Sequence, residues 1–155
     1  KKFGLDEKKA YTAGLLHDCA KSFDINIILE LIEKYIPDVD ESEFLNYKTL
    51  HAPVSAYVAK TEFGVEDEEI ISAIRFHTLG KLDMSKFEKI IFLADKIEPN
   101  TRDGECRNLI LKILEEENGL DKALLICYKE TIKGLVERDL KICQSTIDIY
   151  NCLQA

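Results

Sequence analysis

A segment in the middle of the chain has the periodicity of a helix that packs along one face. Between Met84 and Glu98, apolar residues return at intervals of three and four positions, and Pro99 follows them. One carboxylate, Asp95, ends the apolar run Ile90-Ile91-Phe92-Leu93-Ala94. Strand signals are weak along the whole chain. The pattern predicts an α-helix over 84–98 and favours an all-α fold.

Capping and helix-ending residues divide the rest of the chain into further helices. Asp6 predicts the start of a helix that runs through His17, and Asp24 the start of a second helix that stops at Pro37. Ser145 predicts the cap of a short last helix. Other helices are expected from near position 53, over 66–77, over 105–117 and from 120 to about 140. We expect one compact all-α domain over residues 1–155.

Charge and composition exclude several classes of protein. The 29 acidic and 21 basic residues give a net charge of −8, which argues against broad binding to nucleic-acid phosphates. Hydrophobic residues make up 46% of the chain, yet no apolar run approaches the length that a bilayer requires. Five cysteines without a CxxC pair fit the reduced thiols of a cytosolic protein. No signal peptide is visible, so we expect a cytoplasmic protein without a nucleic-acid polymer or a membrane as its partner.

The three histidines of the chain stand where a metal site could use them. His17 is followed directly by Asp18, His51 precedes the first turn of its predicted helix, and His77 ends a predicted helix. Imidazole and carboxylate ligands together suit iron, manganese or zinc. The alternatives are a partly buried histidine beside a solvated aspartate for the doublet, and surface histidines for the other two.

Asp95 falls on the border of the apolar stripe of its predicted helix. A carboxylate near a core is costly unless it is paired or bound to a metal. We therefore predict that Asp95 is a further metal ligand. The alternative is an ion pair with Lys96 or Arg75.

Two cationic residues are candidates for binding phosphate. Lys21 follows Asp18 by three positions, so it could hold a phosphoryl oxygen or form a local ion pair with Asp18. In the loop after Pro99, Arg102 could bind phosphate or ribose, because a guanidinium group suits phosphate geometry. The alternative for this loop is simple solvation.

Several of these segments together resemble a known family. The doublet, with Gly14-Leu15-Leu16 before it and Lys21 after it, resembles the signature of HD-domain metal-dependent phosphohydrolases. The match is closer still to the bacterial HD-domain symmetrical diadenosine tetraphosphate hydrolases. The supporting segments, which cover most of the chain in order, are Leu50-His51-Ala52-Pro53-Val54, Ala73-Ile74-Arg75-Phe76-His77-Thr78, Leu93-Ala94-Asp95-Lys96-Ile97-Glu98-Pro99 and Thr146 through Asn151.

The resemblance implies an HD-domain fold and an enzyme that uses iron, with manganese, cobalt or magnesium as alternatives, to split diadenosine tetraphosphate into two ADP molecules. It assigns metal ligation to His17, Asp18 and Asp95. His51 and His77 would serve a second metal or the phosphates. In this reading Asp18 orients a water or bridges two metals.

The same resemblance implies a nucleotide-binding surface. Lys21, with His51 and His77, would offset charge on the phosphates during phosphoryl transfer. Arg102 would contact the nucleotide, and the break around Lys141 and Ile142 would close over it. A homodimer is an open alternative to a monomer.

Two departures from the family pattern qualify this reading. Family members carry another ligand histidine on an earlier helix, whereas none of the sixteen residues before His17 is a histidine. We expect either that this helix is absent from the chain or that the metal site lacks one ligand. The loop that contains Arg102 also differs in length from the family's loop. An HD hydrolase of another nucleotide and a non-catalytic helical nucleotide-binding module remain as alternative functions.

Overall fold

The computed structural model describes residues 3–99 and 104–154. Within these residues it contains eight α-helices, two short 3₁₀-helices and no strand, so the prediction of an all-α fold is confirmed. The α-helices are α1 (Glu7–Leu16), α2 (Ile25–Tyr35), α3 (His51–Thr61), α4 (Glu68–Phe76), α5 (Lys86–Lys96), α6 (Gly104–Ile113), α7 (Gly119–Val136) and α8 (Gln144–Cys152). The 3₁₀-helices are η1 (Glu41–Leu45) and η2 (Tyr47–Thr49).

Side-chain caps explain where several helices begin. Asp6 accepts a hydrogen bond from the backbone N–H of Lys8 at 2.8 Å, and Asp24 accepts one from Asn26 at 2.9 Å. Both predicted caps are therefore confirmed. The periodic helix α5 starts with a capping box in which the Ser85 hydroxyl accepts from the backbone of Glu88, while the Glu88 carboxylate accepts from the backbone of Ser85.

Two predictions about the helix boundaries are wrong in detail. Helix α1 ends at Leu16, so Asp18 lies not in a helix but in a series of turns. The N-cap of α8 is Cys143, and Ser145 lies inside the helix. Between Pro37 and α3, the 3₁₀-helices η1 and η2 occupy most of the connection.

The chain divides into two units, the first of which covers residues 1–79. In this unit α3 packs against α2 and α4, and α1 packs against α3 and α4. An ion pair of 2.7 Å between Lys9 Nζ and the Asp67 carboxylate also links α1 to the start of α4. One buried apolar cluster consists of Ala20, Ile28, Ile32, Ile36, Leu50 and Val54.

The second unit covers residues 80–155 and is organised around α7, which packs against α5, α6 and α8. Its buried cluster contains Met84, Phe92, Leu93, Ile110, Ala123, Leu124, Cys127, Tyr128 and Ile149. Among the described residues, no helix has both the length and the apolar character that crossing a bilayer would require.

Candidate functional site

Asp18 and the three histidines meet within the first unit. His51 Nε2 lies 3.0 Å from Asp18 Oδ1, and His77 Nε2 lies 3.4 Å from the same oxygen. His17 Nε2 lies 3.5 Å from Asp18 Oδ2, and the Nε2 atoms of His51 and His77 are 3.1 Å apart. The structure thus brings together four of the residues that the sequence singled out. They come from the end of α1, the start of α3 and the end of α4.

Each histidine ring is oriented by a backbone carbonyl three residues before it. The Nδ1–H groups of His17, His51 and His77 donate to the carbonyl oxygens of Gly14, Lys48 and Ile74, at 2.7, 2.8 and 2.7 Å. A carbonyl oxygen can only accept, so the proton of a neutral ring lies on Nδ1. In a neutral ring Nε2 therefore carries a lone pair directed toward Asp18, whereas in a protonated ring Nε2 carries a proton directed toward the same carboxylate.

Asp18 has the environment of an anionic ligand. Burial by itself raises the pKa of its carboxyl group, but the close approach of the His51 and His77 rings, the hydrogen bond from Lys21 and the nearby His17 ring hold that pKa well below its ordinary value. Oδ1 is buried and has no hydrogen-bond partner of good geometry within the part of the chain that the structure describes. Asp18 is therefore ionised at neutral pH and has one oxygen available for another ligand.

The donor atoms of this cluster fit a divalent cation. One atom from each of His17, Asp18 and His77 lies within 4.8 Å of the other two, and His51 Nε2 adjoins the same carboxylate oxygen. With Nδ1 protonated in each neutral ring, these atoms present only lone pairs to one another. A proton or a cation between them is needed to reconcile such close approaches. Imidazole and carboxylate donors suit a transition metal ion.

The alternative interpretation of His51 and His77 as surface histidines is wrong. The side chain of His51 is 9% exposed and that of His77 is 1% exposed. A buried imidazole needs a partner for each ring nitrogen, and Nε2 of both rings faces Asp18 and the other histidine. His51 is also the first residue of α3 rather than a residue before its first turn.

Lys21 lies beside the cluster and contacts the same aspartate. Its Nζ donates to Asp18 Oδ2 at 2.6 Å, which is the local ion pair that was the alternative interpretation of Lys21. The lysine side chain is 60% exposed, so the contact leaves the ammonium group accessible to solvent. A role for Lys21 on phosphate stays a prediction.

Ser55 is a structural residue of the site that the sequence reasoning missed. It is fully buried on α3, and its hydroxyl accepts a hydrogen bond of 3.1 Å from the backbone N–H of Ala20. The bond fastens the turn after Asp18 to the helix that begins with His51. A signal was present, because Ser55 follows His51 by four positions and shares its helical face.

The remaining predicted residues belong to the second unit or lie outside the described residues. Asp95 is in the last turn of α5, and its carboxylate pairs with Lys96 Nζ at 2.9 Å, as the alternative reading expected. Arg75, the other suggested partner of Asp95, instead pairs with Glu43. Lys141 and Ile142 lie in the predicted break, between α7 and α8. Arg102 lies outside the described residues.

Comparison with known proteins agrees with this geometry. A family model described as HD domain matches residues 1–100. The chain belongs to the HD domain family. The family predicted from the doublet and the later segments is therefore confirmed.

Individual relatives extend the match over nearly the whole chain. The symmetrical bis(5'-nucleosyl)-tetraphosphatase of Halalkalibacterium halodurans is 39% identical over 153 residues, which are 99% of this chain and 80% of that protein. The protein of the same name from Staphylococcus aureus is 35% identical over 94% of this chain and 74% of its own length. A crystal structure from Clostridium acetobutylicum, described as an "HD superfamily hydrolase involved in NAD metabolism", has 35% identity and a TM-score of 0.88, covering 99% of this chain and 79% of that one.

Proposed function

We propose that this chain is a metal-dependent phosphohydrolase that splits diadenosine tetraphosphate symmetrically into two ADP molecules. One observation carries the proposal: the Nε2 atoms of three histidines converge on the ionised carboxylate of Asp18 in a chain 39% identical to a symmetrical tetraphosphatase. The relatives' names agree with the predicted activity and with the predicted class of enzyme.

His17, Asp18 and His51 would hold the metal, and Asp95 is proposed as a further ligand. A bound divalent metal would lower the pKa of a water and polarise a phosphoryl oxygen. Iron is the proposed ion, because the donors are imidazole and carboxylate and because the resemblance to the family implies it. Manganese, cobalt and magnesium are the alternatives.

The chain's own residues orient and neutralise the reacting groups. The carbonyl oxygens of Lys48 and Ile74 keep the Nε2 lone pairs of His51 and His77 directed into the site. The Lys21 ammonium group is proposed to move from Asp18 to a phosphate oxygen. There it would offset the negative charge of the phosphates, which phosphoryl transfer requires to be stabilised. His77 would contact a phosphate oxygen or a second metal.

Arg102, Lys141 and Ile142 are proposed to contact the nucleotide rather than the metal. The substrate is a small nucleotide, so neither a nucleic-acid polymer nor a membrane is a proposed partner. Cleavage between the two central phosphates consumes one water and gives two identical products. The proposed products are therefore ADP alone.

A nucleotide panel with metal-loaded protein tests the proposal. The panel contains diadenosine tetraphosphate, a deoxynucleoside monophosphate and NAD, the last because of the description of the C. acetobutylicum structure. We expect turnover of the tetraphosphate, loss of turnover in Asp18→Asn, and no change in the matched control Asp38→Asn, an exposed acid of the same unit. Turnover of monophosphates alone would indicate an HD hydrolase of another nucleotide. Stoichiometric nucleotide binding without turnover would indicate a binding module.

A further inference from the structure

A bidentate ion pair joins two distant segments of the first unit. Arg75 Nη1 donates to Glu43 Oε2 at 2.9 Å, and Arg75 Nη2 donates to Glu43 Oε1 at 2.7 Å. The two side chains are 11% and 12% exposed, so little solvent screens the pair. Two parallel hydrogen bonds between a guanidinium group and a carboxylate fix orientation as well as distance.

The ion pair connects the parts of the chain that carry His51 and His77. Arg75 is in the last turn of α4, two positions before His77. Glu43 is in η1, and the short connection from η1 through η2 leads directly into His51. The pair therefore ties together the two segments whose histidine Nε2 atoms lie 3.1 Å apart.

A continuous set of hydrogen bonds runs from Glu43 toward His51. Glu43 Oε1 also accepts from the backbone N–H of Asp40, so the carboxylate is fixed at both oxygens. The carbonyl of Glu43 accepts from Asn46 at 3.4 Å, and the Asn46 side chain caps η2 by accepting from Lys48 at 3.2 Å. The carbonyl of Lys48 is the acceptor that orients the ring of His51.

On the other side of the ion pair, the connection to His77 is still shorter. Ile74, the neighbour of Arg75, supplies the carbonyl that accepts from His77 Nδ1. The Arg75 guanidinium group also lies 4.9 Å from the ring centroid of Phe76. The Lys48 and Ile74 carbonyls, which set the tautomers of His51 and His77, therefore belong to the two segments that the ion pair joins.

The bidentate pair uses two of the three nitrogen atoms of the Arg75 guanidinium group. Arg75 Nε is buried and has no hydrogen-bond partner in residues 3–99 and 104–154. A buried N–H without a partner opposes folding. The guanidinium group is therefore oriented by its two hydrogen bonds to Glu43.

We propose that Arg75 and Glu43 are positioning residues for the metal site. Together they hold the Lys48 and Ile74 carbonyls where these fix the tautomers and the spacing of His51 and His77. The proposal rests on the proposed function only in taking His51 as a metal ligand, with His77 beside it. It assigns neither Arg75 nor Glu43 a contact with the substrate.

The test compares Arg75→Gln and Glu43→Gln with Lys60→Gln. Lys60 pairs with Glu68 at 2.8 Å and joins α3 to α4, but its side chain is 56% exposed and that of Glu68 is 73% exposed. The first measurement is the dissociation constant for Co²⁺ with the full chain, by competition with a chelating dye. The second is the tautomer of each histidine in the metal-free protein, from long-range ¹H–¹⁵N NMR spectra.

We expect Arg75→Gln and Glu43→Gln to weaken Co²⁺ binding about tenfold, the lower end of the effect of removing groups that orient metal ligands. The NMR spectra should show loss of the single Nδ1–H tautomer at His51, His77 or both. Lys60→Gln should change neither. The exchanged pair, with Glu43→Arg and Arg75→Glu in one chain, should recover part of the affinity.

Unchanged Co²⁺ affinity and unchanged tautomers in both folded single variants would overturn the proposal. If one variant fails to fold by circular dichroism, the other decides. If the wild-type protein binds no Co²⁺, the tautomers of the metal-free protein decide. A wild-type protein that binds Co²⁺ but does not cleave the tetraphosphate would refute the proposed function and leave this inference standing.

Discussion

Replacing Ser55 with alanine removes the acceptor of a buried backbone hydrogen bond beside the candidate site. Ser55 and Ala20 are both 0% exposed, and the hydroxyl is 3.1 Å from the Ala20 nitrogen. In Ser55→Ala no water can easily replace the lost acceptor. The expected cost is that of leaving a buried N–H unsatisfied, about 2 kcal/mol in the free energy of unfolding.

The cost is measurable by thermal and by urea denaturation. For a chain of 155 residues, about 2 kcal/mol corresponds to a fall in Tm of roughly 4–8 °C. The matched control is Thr61→Val, also on α3, which removes an exposed hydroxyl that donates to the Tyr57 carbonyl. The control should change stability by less than about 0.5 kcal/mol. A loss of less than about 0.5 kcal/mol in Ser55→Ala as well would refute the reasoning, because the Ala20 N–H would then have found another acceptor.

Three further predictions test other parts of the structure. Gly80→Ala should destabilise the protein by about 3 kcal/mol in urea denaturation, because φ is +75° and the new Cβ would clash with the Tyr128 hydroxyl oxygen. Adding Tyr128→Phe should recover part of the loss, and no recovery would mean that the backbone angle alone is responsible. Asp95→Asn should lose metal by elemental analysis while the circular dichroism stays helical, and retained metal with full activity would make Asp95 a structural carboxylate. Lys21→Ala and His77→Ala should lower kcat by about 100-fold or more and metal affinity much less, whereas an effect confined to KM would indicate uniform substrate binding.

The helices were predictable because their signals are local. Asp6 and Asp24 cap the helices that follow them, and the apolar spacing after Met84 marks α5 to within two residues at each end. The 3₁₀-helices were missed because they carry no apolar period. A local signal existed even there, since Asp40 and Glu43 form a capping box with the expected three-residue spacing.

Some of the residues that form the candidate site could be predicted from the sequence. His17, Asp18, His51 and His77 do come together, because each stands at or near the end of a helix of the first unit. The doublet's position in turns was not foreseen, because helical periodicity does not show where α1 stops. The pairing of Arg75 with Glu43 joins residues far apart in sequence, which no pattern within one segment determines.

The products of diadenosine tetraphosphate cleavage show whether the protein is a symmetrical, metal-dependent tetraphosphatase. Metal-loaded wild-type protein is incubated with the dinucleotide, and the products are separated by anion exchange before the substrate is exhausted. We expect ADP as the sole nucleotide product, two molecules for each substrate consumed, and no ADP when a chelator is present. AMP and ATP in equal amounts would exclude symmetrical cleavage, and ADP formation that a chelator leaves unchanged would exclude a metal-dependent reaction.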